Sequence, residues 1–359
     1  MTTPRWTLFR TVTALALTGA TVAALSGCSA GSSAAKADPA AKTVTVYTAD
    51  GLNDGDDSYY QTVFAAFEKE TGIDVQVVEA GSGEVLQRVK QESSNTQADL
   101  LVTLPPFIQT ASEDGLLAKY APEGIDAVPA ADKAADGTYE ALVNNYIGFI
   151  RNTEDVPDAP KTWDDLLGDE YQGKLQYSTP GVAGDGTAML MLAREVLGAE
   201  RSTEYFTKLQ DNNVGPSDST GALAAKVDKG ELTIANGDVQ MNIAQQKSMP
   251  NLGIFFLEGA DGTPTTMSVP YSVGLVKDAP HTANAKKLLD FLYTEDAQEQ
   301  ATTVAGGFPA RSDVHPTGDE AEKLDALMHG VEIVHPDWDD IAEHLDSYVG
   351  DWNTATGTL

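Results

Sequence analysis

From Thr43 onward, short β-branched runs alternate with segments of helical spacing. Thr43–Ala49 (TVTVYTA) reads as a strand bounded by Asp50-Gly51. Tyr60, Phe64 and Phe67 then share one helix face, which Thr71-Gly72 ends. Residues 74–78 (DVQVV) form a second strand, and Val85 and Val89 mark a second helix. Residues 99–103 (DLLVT) form a third strand, stopped by Pro105-Pro106. This βαβαβ order predicts a parallel sheet covered by helices. Ligands of such sheets bind beyond the carboxyl ends of the strands, which here are 47–50, 79–83 and 103–107.

A second set follows. Residues 175–178 and 232–235 read as strands, with helical spacing over 187–197, 203–209 and 223–228 between them. Another helix runs from Gly237 to about residue 247. Residues 268–276 are extended and apolar, and 284–305 and 318–329 are helical in pattern. No repeat of fixed period is present. The simplest arrangement is an α/β chain of two lobes, each a mostly parallel sheet flanked by helices. Extended crossovers near 143–152 and 268–276 join them. The first lobe takes residues 43–145 and 272–359, the second 146–271.

The N-terminus departs from this alternation. Arg5 and Arg10 precede an apolar run over 11–25, too short for a membrane span of roughly 20 residues. Leu25-Ser26-Gly27-Cys28 closes it and resembles the lipobox of bacterial lipoproteins. Residues 1–27 are therefore expected to be a signal peptide, with Cys28 lipidated and 28–42 a small, polar tether. Cys28 is the only cysteine, so the rest of the chain carries no disulfide, thiol nucleophile or Cys-ligated metal.

Charge narrows the function. The chain of 359 residues has 23 Lys+Arg against 54 Asp+Glu, a formal charge of −31, which becomes −33 without Arg5 and Arg10. A generally basic nucleic-acid surface and polybasic docking on anionic lipid are both excluded. With 42% hydrophobic residues the chain is read as folded rather than disordered. All five histidines (281, 315, 329, 335 and 344) fall late in the chain, away from the strand-end loops. No Gly-x-Ser-x-Gly elbow, Walker loop or strand-following GxGxxG occurs. Asp50, Asp54, Asp56 and Asp57 cluster, but their spacing does not match an EF-hand. Tyr59-Tyr60 falls inside a helical pattern, where neighbours diverge by about 100°, which argues against a tyrosinate metal site.

The strongest local signal is Ser178-Thr179-Pro180 followed by Gly184-Asp185-Gly186-Thr187. A strand ends in hydroxyls, a Gly-rich turn follows and a helix opens, so free N–H groups and a helix dipole face the strand-end crevice. Ser219-Thr220-Gly221 and Asn236-Gly237-Asp238 repeat the arrangement, and three helix N-termini could meet on one anion. Each has the plainer reading of a turn or cap. Asp50 and Asp238, one per lobe, are candidates to receive an ammonium, so a zwitterion fits better than a simple anion. Tyr47, Phe107 and Tyr271 are candidate walls, each equally able to be core.

Several stretches, in order along nearly the whole chain after the signal, resemble extracytoplasmic substrate-binding proteins of ABC importers. Within these they look like the 2-aminoethylphosphonate-binding subgroup, relatives of ferric-iron binders. The stretches include VTVYTADGLNDGDDSYY (44–60), ADLLVTLPPFIQ (98–109), KLQYSTPGVAGDGTAML (174–190), NNVGPSDSTGAL (212–223), ANGDVQMN (235–242), VPYSVGLV (269–276) and GFPARSDV (307–314). The resemblance implies a periplasmic-binding-protein-like fold of type II with the ligand cleft between lobes, and capture without catalysis. It also implies a monomer without cofactor, delivering ligand to a membrane permease from the outer face of the cell membrane. Ser178, Thr179, Thr187, Ser219, Thr220 and Gly221 are the expected phosphonate contacts, with Asp50 and then Asp238 for the amine. Arg311 in GFPAR is expected to form a lobe-stabilising ion pair. The tyrosine pair that ferric-binding relatives carry on a second-lobe segment has no counterpart over 236–246, which argues against iron. The alternatives are a binder of ferric iron or of another phosphorylated or cationic solute, and a secreted hydrolase with paired carboxylates roughly 5–10 Å apart.

Overall fold

A computed structural model of the chain describes residues 42–53 and 57–358. The signal segment, Cys28 with the tether as far as residue 41, and Asp54 and Asp56 lie outside the described residues.

Strands β1 (Thr43–Ala49), β2 (Asp74–Ala80) and β3 (Leu100–Thr103) alternate with helices α1 (Tyr59–Thr71) and α2 (Ser82–Glu92). Helix α3 (Phe107–Glu113) and the short strands β4 (Leu117–Ala118) and β5 (Glu140–Asn144) follow. The chain then crosses into β6 (Ile147–Asn152), β7 (Leu175–Gln176), α4 (Gly184–Leu197), α5 (Ala199–Leu209) and α6 (Gly221–Asp228). It continues through β8 (Ile234–Asp238), α7 (Val239–Gln245), β9 (Leu252–Phe255) and β10 (Thr265–Met267). It returns in β11 (Tyr271–Val276), α8 (Thr282–Leu292), α9 (Glu295–Thr303), β12 (Phe308–Pro309), α10 (Asp319–Met328), β13 (Glu332–Val334) and α11 (Trp338–Thr356).

Local chemistry accounts for the boundaries. Ser58 caps α1 by accepting from the Gln61 N–H, and Gly72 closes it in the left-handed conformation. Between these, Tyr60, Val63, Phe64 and Phe67 bury one face. The single helical stretch read over 284–305 is two helices, because Thr294 turns the chain and caps α9 through Ala297 N–H.

The larger sheet has seven strands in the order β12-β5-β11-β3-β1-β2, with β4 on β11, and the smaller has four in the order β7-β8-β6-β9. The sheets are mixed rather than mostly parallel. β1 runs parallel to β2 and β3, but β11 is antiparallel to both β3 and β5, and β6 is antiparallel to β8 and β9. The reason is connectivity. A strand that arrives directly from the other lobe lacks the helical crossover that makes neighbours parallel. Tyr271, placed at the end of the second lobe by sequence, is the first residue of β11 and belongs to the larger sheet.

Two features position the cleft. β1 pairs with β2 on one side and β3 on the other, so its carboxyl end is a topological switch point, and Asp50 follows it. In the smaller sheet β7 and β8 are parallel neighbours, so Ser178 and Asp238 come off adjacent strands at the same edge. Helix α11 spans both halves. Its Trp352 packs edge-on against Tyr177 at 6.2 Å, while Asp339 accepts from the Tyr139 hydroxyl at 3.3 Å.

Candidate functional site

Asp50 leaves β1 and reaches the opposite lobe. Its Oδ2 accepts from Ser219 Oγ at 2.5 Å and from Gly221 N–H at 3.1 Å, at the amino end of α6. The short first contact is typical of a hydroxyl donating to a carboxylate. Asp238 ends β8 and caps α7, with Oδ1 accepting from Met241 N–H at 2.9 Å. Its Oδ2 lies 2.8 Å from the Tyr271 hydroxyl, which also lies 3.0 Å from the Asp50 carbonyl oxygen. Asp185 sits in the first turn of α4, 3% exposed, with Oδ1 buried and unpartnered.

Each of the three helix N-termini singled out by sequence therefore carries a protein carboxylate. The dipoles of α4 and α6 favour the charged forms of Asp185 and Asp50. Burial opposes them. It pushes Asp50 up against its hydrogen bonds from Ser219 and Gly221. It pushes Asp185 well above the usual carboxylate range, and the Asp238 and Asp50 charges add to that. It raises Asp238 to about 7 against the Met241 and Tyr271 hydrogen bonds. Among the described residues, no lysine, arginine or histidine forms an ion pair with any of these three carboxyls.

Gly51 leaves the room that the Tyr271 and Gln240 side chains occupy. Its φ is +113°, and a Cβ there would stand 2.2 Å from the Tyr271 hydroxyl and 3.4 Å from Gln240 Oε1. Gln240 is 1% exposed and its Oε1 is unpartnered, while its amide donates to the Ala305 and Gly51 carbonyls.

The expected phosphonate contacts divide. Ser219 and Gly221 face Asp50, and buried Thr220 donates to Ser178 Oγ at 2.9 Å. Ser178 is tied to Asn236, its N–H donating to Oδ1 at 2.8 Å and its Oγ accepting from Nδ2 at 3.0 Å. Thr179 pairs with Ser217 through main chain and hydroxyl, at 2.8 and 3.1 Å. Thr187 is a correction: its hydroxyl donates to Ala183 O and accepts from Gly181 N–H, both at 2.9 Å, so it closes the turn before α4.

The wall candidates also divide. Tyr271 is at the centre. Tyr47 is not, because alternation along β1 turns it onto α2, where its hydroxyl donates to Glu92 at 2.8 Å and Arg88 covers its ring. Phe107 lines a separate groove of about 460 Å³ with Gly83, Gly181 and Val182. Arg311 forms an ion pair with Asp313 at 2.7 Å and donates to Tyr293 O at 2.8 Å. Tyr59 and Tyr60 are buried in the first lobe, with the Tyr60 hydroxyl 2.8 Å from Thr48 Oγ1. No group of three or more His, Cys, Asp or Glu arranged to hold a metal occurs among the described residues.

Asp185 and Gln240 were not among the expected site residues. Asp185 lies inside the Gly-rich turn that drew attention for its backbone, and an acid in a helix first turn beside a strand end was the available signal. Gln240 carries no such signal, since only folding brings it to Gly51.

The family model for bacterial extracellular solute-binding proteins matches residues 51–299. A Salmonella typhi protein named as a 2-aminoethylphosphonate-binding periplasmic protein is 45% identical over 318 residues, covering 88% of this chain and 93% of its own. Among solved structures, AfuA of Actinobacillus pleuropneumoniae, with exogenous fructose-6-phosphate bound, superposes with a TM-score of 0.75 at 20% identity, covering 89% of this chain and 100% of its own. Apo ferric ion-binding protein A of Pasteurella haemolytica gives 0.70 at 19% identity, covering 88% and 98%. These two likenesses establish the fold.

Proposed function

We propose that this chain, which belongs to the bacterial extracellular solute-binding protein family, captures 2-aminoethylphosphonate between its lobes and delivers it to an ABC permease. One observation carries the reading. At the amino end of α6, Ser219 Oγ and Gly221 N–H already hold an anionic oxygen, that of Asp50, whose charge acts on the two further buried carboxyls of Asp185 and Asp238. Asp50 Oδ2 stands where an oxygen of a phosphonate would sit. A ligand with an anionic head and its own ammonium satisfies both halves of this arrangement. The head takes the Ser219–Gly221 end, with Ser178, Thr179 and Thr220 behind it, and Asp50 turns with Asp238 toward the ammonium. A phosphate ester without an amine would leave the carboxyls unbalanced.

Closure around such a ligand is a lobe movement about the crossovers at 145–146 and 268–270, and the closed form is what the permease reads. The work is capture, so no covalent step is assigned. Signal removal before Cys28, a lipid on its thiol, anchoring at the outer face of the membrane and a monomeric state complete the proposal.

Thermal melting of unfolded and refolded, ligand-stripped protein tests the assignment. Stabilisation is expected with 2-aminoethylphosphonate, and much less with ethylphosphonate or ethanolamine. No shift with 2-aminoethylphosphonate overturns it.

A further inference from the structure

The cleft contains more carboxylate than one ammonium requires, and beside the Met241 and Asn145 hydrogen bonds to Asp238 the Tyr271 hydroxyl cannot donate to both of its own acceptors. The Tyr271 hydroxyl has one proton and two acceptors in reach, the Asp50 carbonyl at 3.0 Å and Asp238 Oδ2 at 2.8 Å. Both contacts are satisfied together when Tyr271 donates to the carbonyl and Asp238 carries a proton that it donates to the Tyr271 oxygen. Asp50 is the ionised partner, held by Ser219 and Gly221. Two further buried acceptors, Asp185 Oδ1 and Gln240 Oε1, have no partner.

Among the described residues the nearby cations are engaged elsewhere, and Lys247, which lines a pocket with Gly51 and Gln240, donates to the Val304 carbonyl at 3.3 Å. The groups facing the cluster are Asp50 after β1, Asp185 on α4, Asp238 at the end of β8 and Tyr271 on β11. Lys226 on α6 turns away to Gln176 Oε1 at 3.0 Å, Arg151 on β6 donates to the Val156 carbonyl, and Arg194 lies over Tyr348 at the far end of α4. Before a ligand enters, protons are what offsets the charge of these buried carboxyls.

We propose that Asp185 is a specificity-determining member of the amine pocket, and that ammonium capture displaces the proton held on Asp238. The inference rests on the reading that the ligand carries an amine. The exchange is balanced: one ammonium enters, one proton leaves a carboxyl for the buffer, and Asp185 Oδ1 gains a donor. Bound in this way, the ammonium takes over the charge of the departing proton without an arginine or lysine that would compete for it. Selection against ligands lacking an amine follows, because these leave the proton in place and Asp185 Oδ1 without a donor.

Two measurements test it, one without ligand. Thermal melts at pH 5.5 and 8.0 compare wild type with Asp185→Asn and Asp238→Asn, the latter keeping a residue able to cap α7. The protonated carboxyls bind protons that the unfolded chain has already released, so stability falls as pH rises toward and through their folded-state titration. The wild-type melting temperature should fall between these pH values, and each variant should flatten the fall. An unchanged fall in both overturns the proposal whatever the ligand is. Calorimetry with 2-aminoethylphosphonate and ethylphosphonate, in two buffers of different ionisation heat, supplies the second arm. Asp185→Asn should reduce the preference for the amine at least tenfold, and Asp238→Asn should lower the number of protons released. An unchanged preference and proton count overturn the proposal. Flattened melts with no binding of 2-aminoethylphosphonate would instead uphold the protonated cluster and remove the ligand assignment.

Discussion

Two buried carboxylate settings lie at opposite ends of the larger sheet, and they differ in how completely they are satisfied. Asp99, at the amino end of β3, accepts from Thr45 N–H at 2.8 Å, His281 N–H at 2.6 Å and His281 Nδ1 at 2.9 Å. Every donor comes from the same lobe. At the carboxyl ends, Asp50, Asp185 and Asp238 meet with few donors and one another's charge. The first setting ties β1, β3 and the start of α8 together. The second leaves buried acceptors open where the lobes meet. A satisfied buried acid is a fastening, whereas an unbalanced group of them is a place for a cation.

Four changes would break or sharpen this contrast. The largest effect is expected from Asp99→Ala, which strands two backbone N–H groups and His281. Chemical denaturation should show a loss of about 3–5 kcal/mol, while the folded fraction keeps its ligand affinity within about twofold. If affinity falls with stability, the two settings are not independent. Asp50→Ala should do the reverse. Calorimetry should give a loss of about 10- to 100-fold in affinity for 2-aminoethylphosphonate, as expected for a charged hydrogen bond of about 1.5–3 kcal/mol, with little loss of stability. Gly51→Ala is smaller again. The positive φ and the 2.2 Å approach to the Tyr271 hydroxyl should cost about 1–2 kcal/mol in melting experiments and weaken binding by moving Tyr271. Least of all, Asp313→Ala removes a half-exposed partner of Arg311 and should leave the melting temperature and binding essentially unchanged. A larger effect there would mean that the Arg311 bond to Tyr293 depends on Asp313.

The legible parts of the fold were those written in short-range pattern. β1, α1, β2, α2 and β3 follow from alternation, helical spacing and caps. Helix α11 carries an equally regular spacing. Trp338, Ile341, Leu345, Tyr348 and Trp352 hold helical spacing, but the acids between them pass for a solvated tail. The crossover expected near 143–152 holds the end of β5 and the whole of β6, because extended sequence does not say which sheet completes its hydrogen bonds. The site was legible in residue type and only partly in partnership. The hydroxyl-and-glycine turns were visible, yet Thr187 belongs to its own turn and Tyr47 to α2.

By itself, the sequence determined the α/β character, the strand-end loops that carry acids and hydroxyls, and the lack of basic residues within them, because these depend on neighbours within a few positions. Only the tertiary structure decided that Asp50 reaches α6 from the other lobe and that Tyr271 stands between two acids. It alone decided that Asp185 and Gln240 are left with open acceptors. Those contacts join residues from 33 to 221 positions apart where both partners are defined. Their presence depends on strand order and on how closely a glycine lets the Tyr271 and Gln240 side chains approach, which no local pattern records.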